Sequence, residues 1–368
     1  MNTKRAPKVR FKGFTDAWEL RKLRDVTTEI VAGGDIDKDL ILDEGRYPVI
    51  ANALTNDGIV GYYNTDYRIE APAVTVTGRG DVGHAKARIV DFTPVVRLLS
   101  IKSYHDVFFL ENAINTLKIV IESTGVPQLT VPQLAKYEIS FPKSLDEEEK
   151  IGNFFCTIDN LITLHQRKLD KMKELKKTFL NLIFSQKLRF RGFTDSWELR
   201  KLGEITEKIT RKNQSLESLL PLTISAQHGL IDQNSFFNKQ IASKDVSGYY
   251  LIKNGEFAYN KSYSNAYPWG AIKRLDLHDK GVLSTLYIVF KPTNVESNFL
   301  VSYYSADNWH KEVSIRAAEG ARNHGLLNIS PQDFFETKLL IPNKYEEQEK
   351  IGVFFKKLDN LIIFNQDK

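Results

Sequence analysis

The 368-residue chain is too long for one ordinary core and suits two or three units of roughly 150 residues each. Its 42% hydrophobic and 26% charged residues exclude a disordered chain, and no apolar run approaches the roughly 18 residues of a membrane helix. The net charge of +5, with a pI near 8.9, tolerates an anionic partner without demanding one.

Residues 1–14 are polar and basic, so no signal peptide is expected and the protein reads as soluble and cytoplasmic. They lead into Arg10-Phe11-Lys12-Gly13-Phe14-Thr15-Asp16-Ala17-Trp18-Glu19-Leu20, a block that returns below. Ala73-Val74-Thr75-Val76-Thr77 is a β-branched run and predicts a strand. Gly78-Arg79-Gly80-Asp81-Val82-Gly83 then matches G-x-G-x-x-G in form. A dinucleotide site needs a helix next and an acidic residue about 20 positions on. Here Lys86 and Arg88 follow among small residues and Pro94 arrives early, which favours a turn between strands tipped by Arg79. An apolar strand at 139–142 closes the first domain.

Ser144-Leu145-Asp146-Glu147 reads as a capping box opening a helix. Ile151, Phe154, Phe155, Ile158, Leu161, Ile162, Leu169, Met172, Leu175, Phe179, Leu182 and Ile183 then fall at spacings of three and four. A helix over 146–187 would run about 60 Å, and its single apolar stripe calls for a partner helix. His165 reads as a polar packing residue on it, and the acids at 146–149 as dipole-favouring residues rather than paired catalytic carboxylates. Residues 167–191 are strongly basic, which fits a solvated face as well as an anion-binding one.

The opening block returns 179 positions later, as Arg189-Phe190-Arg191-Gly192-Phe193-Thr194-Asp195-Ser196-Trp197-Glu198-Leu199. A second domain follows. Its stretch 259–274 interleaves amide, hydroxyl, aromatic and cationic groups, the kit for phosphate positioning and base-edge readout. The alternative is a Tyr-rich hairpin packed on its own domain. Residues 286–290 predict a strand, the loop 320–325 repeats the polar character around Arg322, and 339–342 predicts the closing strand. Asn343 with Glu346 mirrors the capping arrangement. Glu149-Lys150-Ile151-Gly152, Phe154-Phe155 and Asp159-Asn160-Leu161-Ile162 then recur 200 positions later, from Glu349 to Ile362.

Between these blocks a thin thread survives. Gly61-Tyr62-Tyr63 matches Gly248-Tyr249-Tyr250, and Gly83 with Lys86 matches Gly270 with Lys273, all at an offset of 187. The chain is therefore one fold written twice: an α+β protein of two mixed α/β domains, 1–143 and 188–342, separated by helical segments at 144–187 and 343–368. The two helices are expected to pair antiparallel as an intramolecular coiled coil. Candidate phosphate or guanine contacts are Arg79, Lys86, Arg88, Lys261, Lys273, Arg274 and Arg322. Asn260, Tyr263, Ser264 and Trp269 are candidates for base edges. No nucleophile elbow, P-loop or zinc signature occurs, Cys156 is the single cysteine, and neither a catalytic constellation nor a metal site is expected.

The doubled Phe-x-Gly-Phe-Thr-Asp-x-Trp block, the strands ending at Pro142 and Pro342 and the doubled Glu-Lys-Ile-Gly helix together resemble the DNA-specificity subunits of type I restriction-modification systems. The resemblance covers nearly the whole chain. It implies two target-recognition domains, each reading half of a bipartite, asymmetric site in double-stranded DNA. It implies helices that set the unread gap and dock two methyltransferase subunits acting at adenine N6, with restriction (translocase and endonuclease) subunits joining to cut unmodified DNA. The subunit itself would be non-catalytic, with S-adenosylmethionine, Mg and ATP belonging to its partners. The distal helix departs from the pattern by stopping at Lys368, about 20 residues short of its counterpart. Against this stands a coiled-coil scaffold or assembly protein without DNA readout.

Overall fold

The computed structural model describes residues 7–120, 127–225, 228–239, 242–262, 267–317 and 327–366. The chain forms two compact units, Met1–Leu164 and His165–Lys368. The helix Leu145–Phe184 contributes its first half to one unit and its second half to the other, and the helix Tyr345–Gln366 lies in the second.

The first unit is built on a four-stranded antiparallel sheet ordered Thr27–Ala32, Leu99–Ser103, Ala73–Val76 and Ala85–Arg88. Its strand Ala73–Val76 is buried throughout, as an interior strand covered on both faces must be. Val74, Val76, Leu99 and Ile101 pack with Phe109, Leu110 and Ile114 of the helix Val107–Asn115. Each such side chain taken fully out of water stabilises the fold by about 1.5–3 kcal/mol. A smaller three-stranded sheet of Ile59–Tyr63, Tyr47–Ile50 and Thr93–Pro94 adjoins it.

The second unit repeats the larger sheet in the same order: Thr206–Ile209, Ile288–Pro292, Phe257–Asn260 and Ala271–Arg274. The strand expected at 286–290 thus begins two residues late. The turn amide of Tyr287, bonded to the Ser284 carbonyl, takes up the first two positions. The helix Ser297–Ser305 stands where Val107–Asn115 stands in the first unit. Its Phe299, Leu300, Tyr303 and Tyr304 join the core formed by Phe257, Tyr259, Ile272, Ile288 and Phe290.

Each doubled sequence block folds onto a helix start, which explains why both blocks recur together. Glu19–Lys22 pairs antiparallel with Glu138–Phe141, and Glu198–Lys201 with Lys338–Ile341. These two-stranded ribbons bring the opening block against the first turns of the helix that follows. Arg10 grips the buried carboxylate of Glu147 through Nε and Nη2, both at 2.7 Å, and the Trp18 indole N–H donates to the same group at 3.3 Å. In the second unit Arg189 grips Glu347 at 2.9 and 2.7 Å, and Trp197 donates at 3.4 Å. Lys150 lies 4.8 Å above the Phe14 ring and Lys350 lies 4.7 Å above Phe193. Gly13 and Gly192 carry φ of 103° and 94°, a backbone region closed to most side chains, so the block turns at glycine in both copies.

Glu147 therefore does not complete a capping box. Its carboxylate is taken by Arg10 and Trp18, while the Ser144 carbonyl accepts from the amides of Glu147 and Glu148. The Gly of each Glu-Lys-Ile-Gly block lies against the start of the neighbouring helix. A Cβ on Gly352 would stand 2.5 Å from Glu296 Oε2 and 2.6 Å from the Phe299 amide. Gly152 meets Asp106 and Phe109 in the same way.

The long helix ends where Gln186 enters the left-handed region at φ 59° and the amides of Lys187 and Leu188 return to the Leu182 carbonyl. Within the second unit its last turns run antiparallel to the distal helix. Lys176 meets Asp359 at 2.5 Å, Phe179 meets Phe354 at 5.4 Å, and Arg189 beyond the turn reaches Glu347. Of the expected stripe only Leu169 and Ile183 are buried and Leu175 is exposed; Leu180 and Phe184, which the stripe did not include, are buried beside Ile183. Leu161, Ile162 and Leu164 face water, as does His165, which makes no packing contribution.

Candidate nucleic-acid interface

The hairpin at one edge of each large sheet presents the residues singled out above. In the first unit Ala73–Val76 and Ala85–Arg88 are joined by a turn that Thr77 closes. Its amide donates to the His84 carbonyl, its carbonyl accepts from the Gly83 amide, and its hydroxyl accepts from the His84 amide and donates to the Asp81 carbonyl. Gly80 and Gly83 have φ of 75° and 90°, so the glycines serve the turn. A strand follows them where a dinucleotide site requires a helix, and this removes the cofactor reading of the G-x-G-x-x-G match.

Arg79 is exposed at the tip, where its backbone bridges to Gln128. Lys86 is half-exposed, its ammonium 3.5 Å from Glu111. Arg88 is held by its own domain, donating from Nε to the Thr75 hydroxyl at 3.0 Å and from Nη2 to the Asp57 carbonyl at 2.9 Å. Burial lowers its pKa below the ordinary arginine value, against the opposing pull of Asp57 and Glu111. Lys86 and Arg88 line a 40 Å³ cavity together with His84, Thr75, Thr77 and Asp57. Of these neighbours, none was singled out from the sequence, although the period-two alternation of the strands puts Thr75 opposite Lys86.

In the second unit the equivalent hairpin joins Phe257–Asn260 to Ala271–Arg274. The Asn260 side-chain oxygen accepts from the Ser262 amide at 3.0 Å. Lys261 holds the chain of Leu327 through a backbone bond of 2.9 Å, and its ammonium lies 3.5 Å from the Ile329 carbonyl. Trp269 packs against the core, and its carbonyl accepts from the Tyr259 hydroxyl at 2.9 Å, so its ring is committed to its own domain. Arg274 is likewise engaged, donating to Asp276 at 2.6 Å, Ser297 Oγ at 2.8 Å and Asn298 Oδ1 at 3.0 Å. Burial, and then the Lys176 ammonium, lower the pKa of Lys273 below the usual lysine value, with Asp359 acting the other way. Tyr263, Ser264 and Arg322 lie outside the described residues. Arg274 lines a 690 Å³ cleft with Asp276, Asn298, Lys356 and Asp359. Of the last two, three apart on the distal helix, Asp359 belongs to the doubled Asp-Asn-Leu-Ile block, whereas Lys356 carried no sequence signal beyond its charge.

Among the candidates, Arg79 is exposed, Lys86 and Lys261 are partly exposed with their ammonium groups beside Glu111 and the Ile329 carbonyl, and Arg88, Trp269 and Arg274 brace the hairpins. Among the described residues no group of His, Cys, Asp or Glu is placed to hold a metal ion. No helix there is long and apolar enough to cross a membrane.

Residues 15–174 match the family model for the type I restriction modification DNA specificity domain. Over 151 residues the chain is 29% identical to a putative type I specificity subunit of Mycoplasma pneumoniae, a match spanning 40% of each protein. A second subunit from that organism matches at 25% identity over 47% of this chain and 52% of its own length, so these relatives are covered only to about half. A type I restriction enzyme specificity subunit from Methanocaldococcus jannaschii is 22% identical over 89% of this chain and 82% of its own. The fold follows the crystal structure of the type I S subunit from M. genitalium with a TM-score of 0.66 and 16% identity, covering 99% and 94% of the two chains. Residues 15–174 carry a type I restriction modification DNA specificity domain. In this chain the blocks common to both halves form the mounts, and the sequence between them forms the divergent hairpins.

Proposed function

We propose that this chain is a type I specificity subunit that reads a bipartite, asymmetric target in double-stranded DNA, one half-site per divergent domain. Partner subunits then methylate adenine at N6 and cut unmodified DNA. The observation that carries this is the doubled mount: Arg10–Glu147–Trp18 and Arg189–Glu347–Trp197 fix two unlike hairpin sheets to two like helix starts. Reading two half-sites requires two readers of one design carried on fixed supports. Arg79, Lys86 and Lys261 supply cations for phosphate, and the polar tips between the paired strands supply base-edge contacts. Arg88 and Arg274 act by holding those tips in shape.

In this reading the helices dock two methyltransferase subunits, and restriction subunits join them in the cytoplasm. S-adenosylmethionine, Mg and ATP are bound by those partners, and this chain contributes no catalytic step. Exchanging residues 24–145 for the corresponding domain of another specificity subunit tests it. The methylated motif should change in one half-site only, and an unchanged motif would refute the assignment. A scaffold without DNA readout would instead lack salt-dependent DNA affinity, whereas a reader loses about 0.9 in log K per log unit of salt for each phosphate held.

A further inference from the structure

The two mounts are alike in sequence and unlike in cover. In the second unit the apolar surface around Phe355 is closed by Phe179, Leu180, Ile183 and Phe184, so that Phe355 is 1% exposed. Phe184 fits among Trp197, Phe299, Tyr303 and Phe355, with ring centroids 5.4–6.4 Å away. Phe179 stands edge-on to Phe354 at 5.4 Å, and Lys176 anchors the segment to Asp359.

The first unit has the same surface: Trp18, Phe109, Ile151, Phe154 and Phe155, with Phe11 where the second copy has Phe190. Phe155 is 39% exposed and Phe154 48% exposed. These residues line two adjoining apolar hollows of 460 and 380 Å³ that share Trp18, Ile151 and Phe155. Ala113, which holds the place of Tyr303, widens the first hollow. Asp159, the counterpart of Asp359 and four residues beyond Phe155 on the same helix, is exposed.

We propose that this groove is a docking site for a separate amphipathic helix carrying the pattern Lys-x-x-Phe-Leu-x-x-Ile-Phe, laid antiparallel to residues 151–159. The occupant's chemistry is given by the second unit, where residues 176–184 carry that pattern on the equivalent surface. The two phenylalanines fill the hollows, the leucine and isoleucine cover Ile151 and Phe155, and the lysine pairs with Asp159. A surface of this composition is a helix-in-groove site, read by anchors one turn apart.

The probe is a fluorescently labelled peptide of residues 165–188, titrated into the full chain and followed by anisotropy. Saturable binding is expected, and Phe155→Glu should weaken it about tenfold or more, since it puts a charge where an aromatic anchor is buried. Leu164→Glu, exposed and outside the groove, should leave it unchanged, and circular dichroism of both variants checks that they fold. No binding, or equal binding to Phe155→Glu, which would place the peptide on the second unit instead, overturns the proposal. So does a chain that already self-associates through the groove and becomes monomeric on Phe155→Glu, because the occupant would then be a second copy.

Discussion

Replacing Gly352 by alanine sets two effects of opposite sign against each other. On an exposed helix face the change would stabilise by up to about 1 kcal/mol, through lower backbone entropy in the unfolded chain. At this position the new Cβ would lie 2.5 Å from Glu296 Oε2, 2.6 Å from the Phe299 amide nitrogen and 2.8 Å from the Asn298 carbonyl carbon. Two of those atoms form the N-terminal cap of the helix Ser297–Ser305, where Phe299 donates to Glu296 at 2.6 Å. Making room means moving backbone or breaking that cap. Overpacking costs about 1–3 kcal/mol and a lost cap about 1 kcal/mol. Subtracting the propensity gain leaves a net destabilisation of about 2 kcal/mol. Urea unfolding followed by fluorescence should show a lower midpoint for the second unit with an unchanged slope. A Gly352→Ala chain as stable as the parent, or more so, would refute the close-packing account of the Glu-Lys-Ile-Gly block.

Removing the carboxylate in Glu347→Ala strands a guanidinium and an indole N–H. It should cost about 2–3 kcal/mol, less than a fully buried pair because Arg189 can turn toward water, with Glu347→Gln recovering part in the same denaturation assay. Arg79→Ala should leave stability untouched yet weaken DNA binding and reduce the salt slope by about one, whereas Arg274→Ala should lower the stability of the second unit first. A stability loss in the former or none in the latter reverses their roles. The Lys344 ammonium, through its hydrogen bond and charge, holds the Asp195 carboxyl below the usual carboxylate range. The contribution of that pair is therefore present above the ordinary carboxylate pKa and lost as pH falls through the depressed value. An NMR titration of Asp195 that is unmoved by Lys344→Met would show the pair to be inert.

The architecture was legible in the sequence wherever a periodic pattern or a repeat expressed it. The strands at 73–77 and 139–142 rest on local composition and the long helix and the doubling on spacing, and both signals survive without knowledge of contacts. What joins Arg10 to Glu147, 137 positions apart, is invisible to spacing, yet the two blocks recurring together was its trace. The roles of Arg88, Trp269 and Arg274 were not legible. A polar, aromatic hairpin has the same composition whether its side chains point at a ligand or at their own domain. The stripe from Ile151 to Ile183 also reads as uniform, although the structure buries Leu169 and Ile183 and leaves Leu161, Ile162 and Leu175 exposed. Apolar periodicity specifies that a face needs a partner, and only the fold decides where one is supplied.

The central claim is that this chain chooses the DNA sequence on which a methyltransferase acts. A genome-wide map of N6-methyladenine in the host, with the gene intact and deleted, tests it most directly. The account predicts a gapped, two-part motif that is methylated with the gene and lost without it. A methylome identical in both strains, with the protein expressed and copurifying with a methyltransferase subunit, would contradict it.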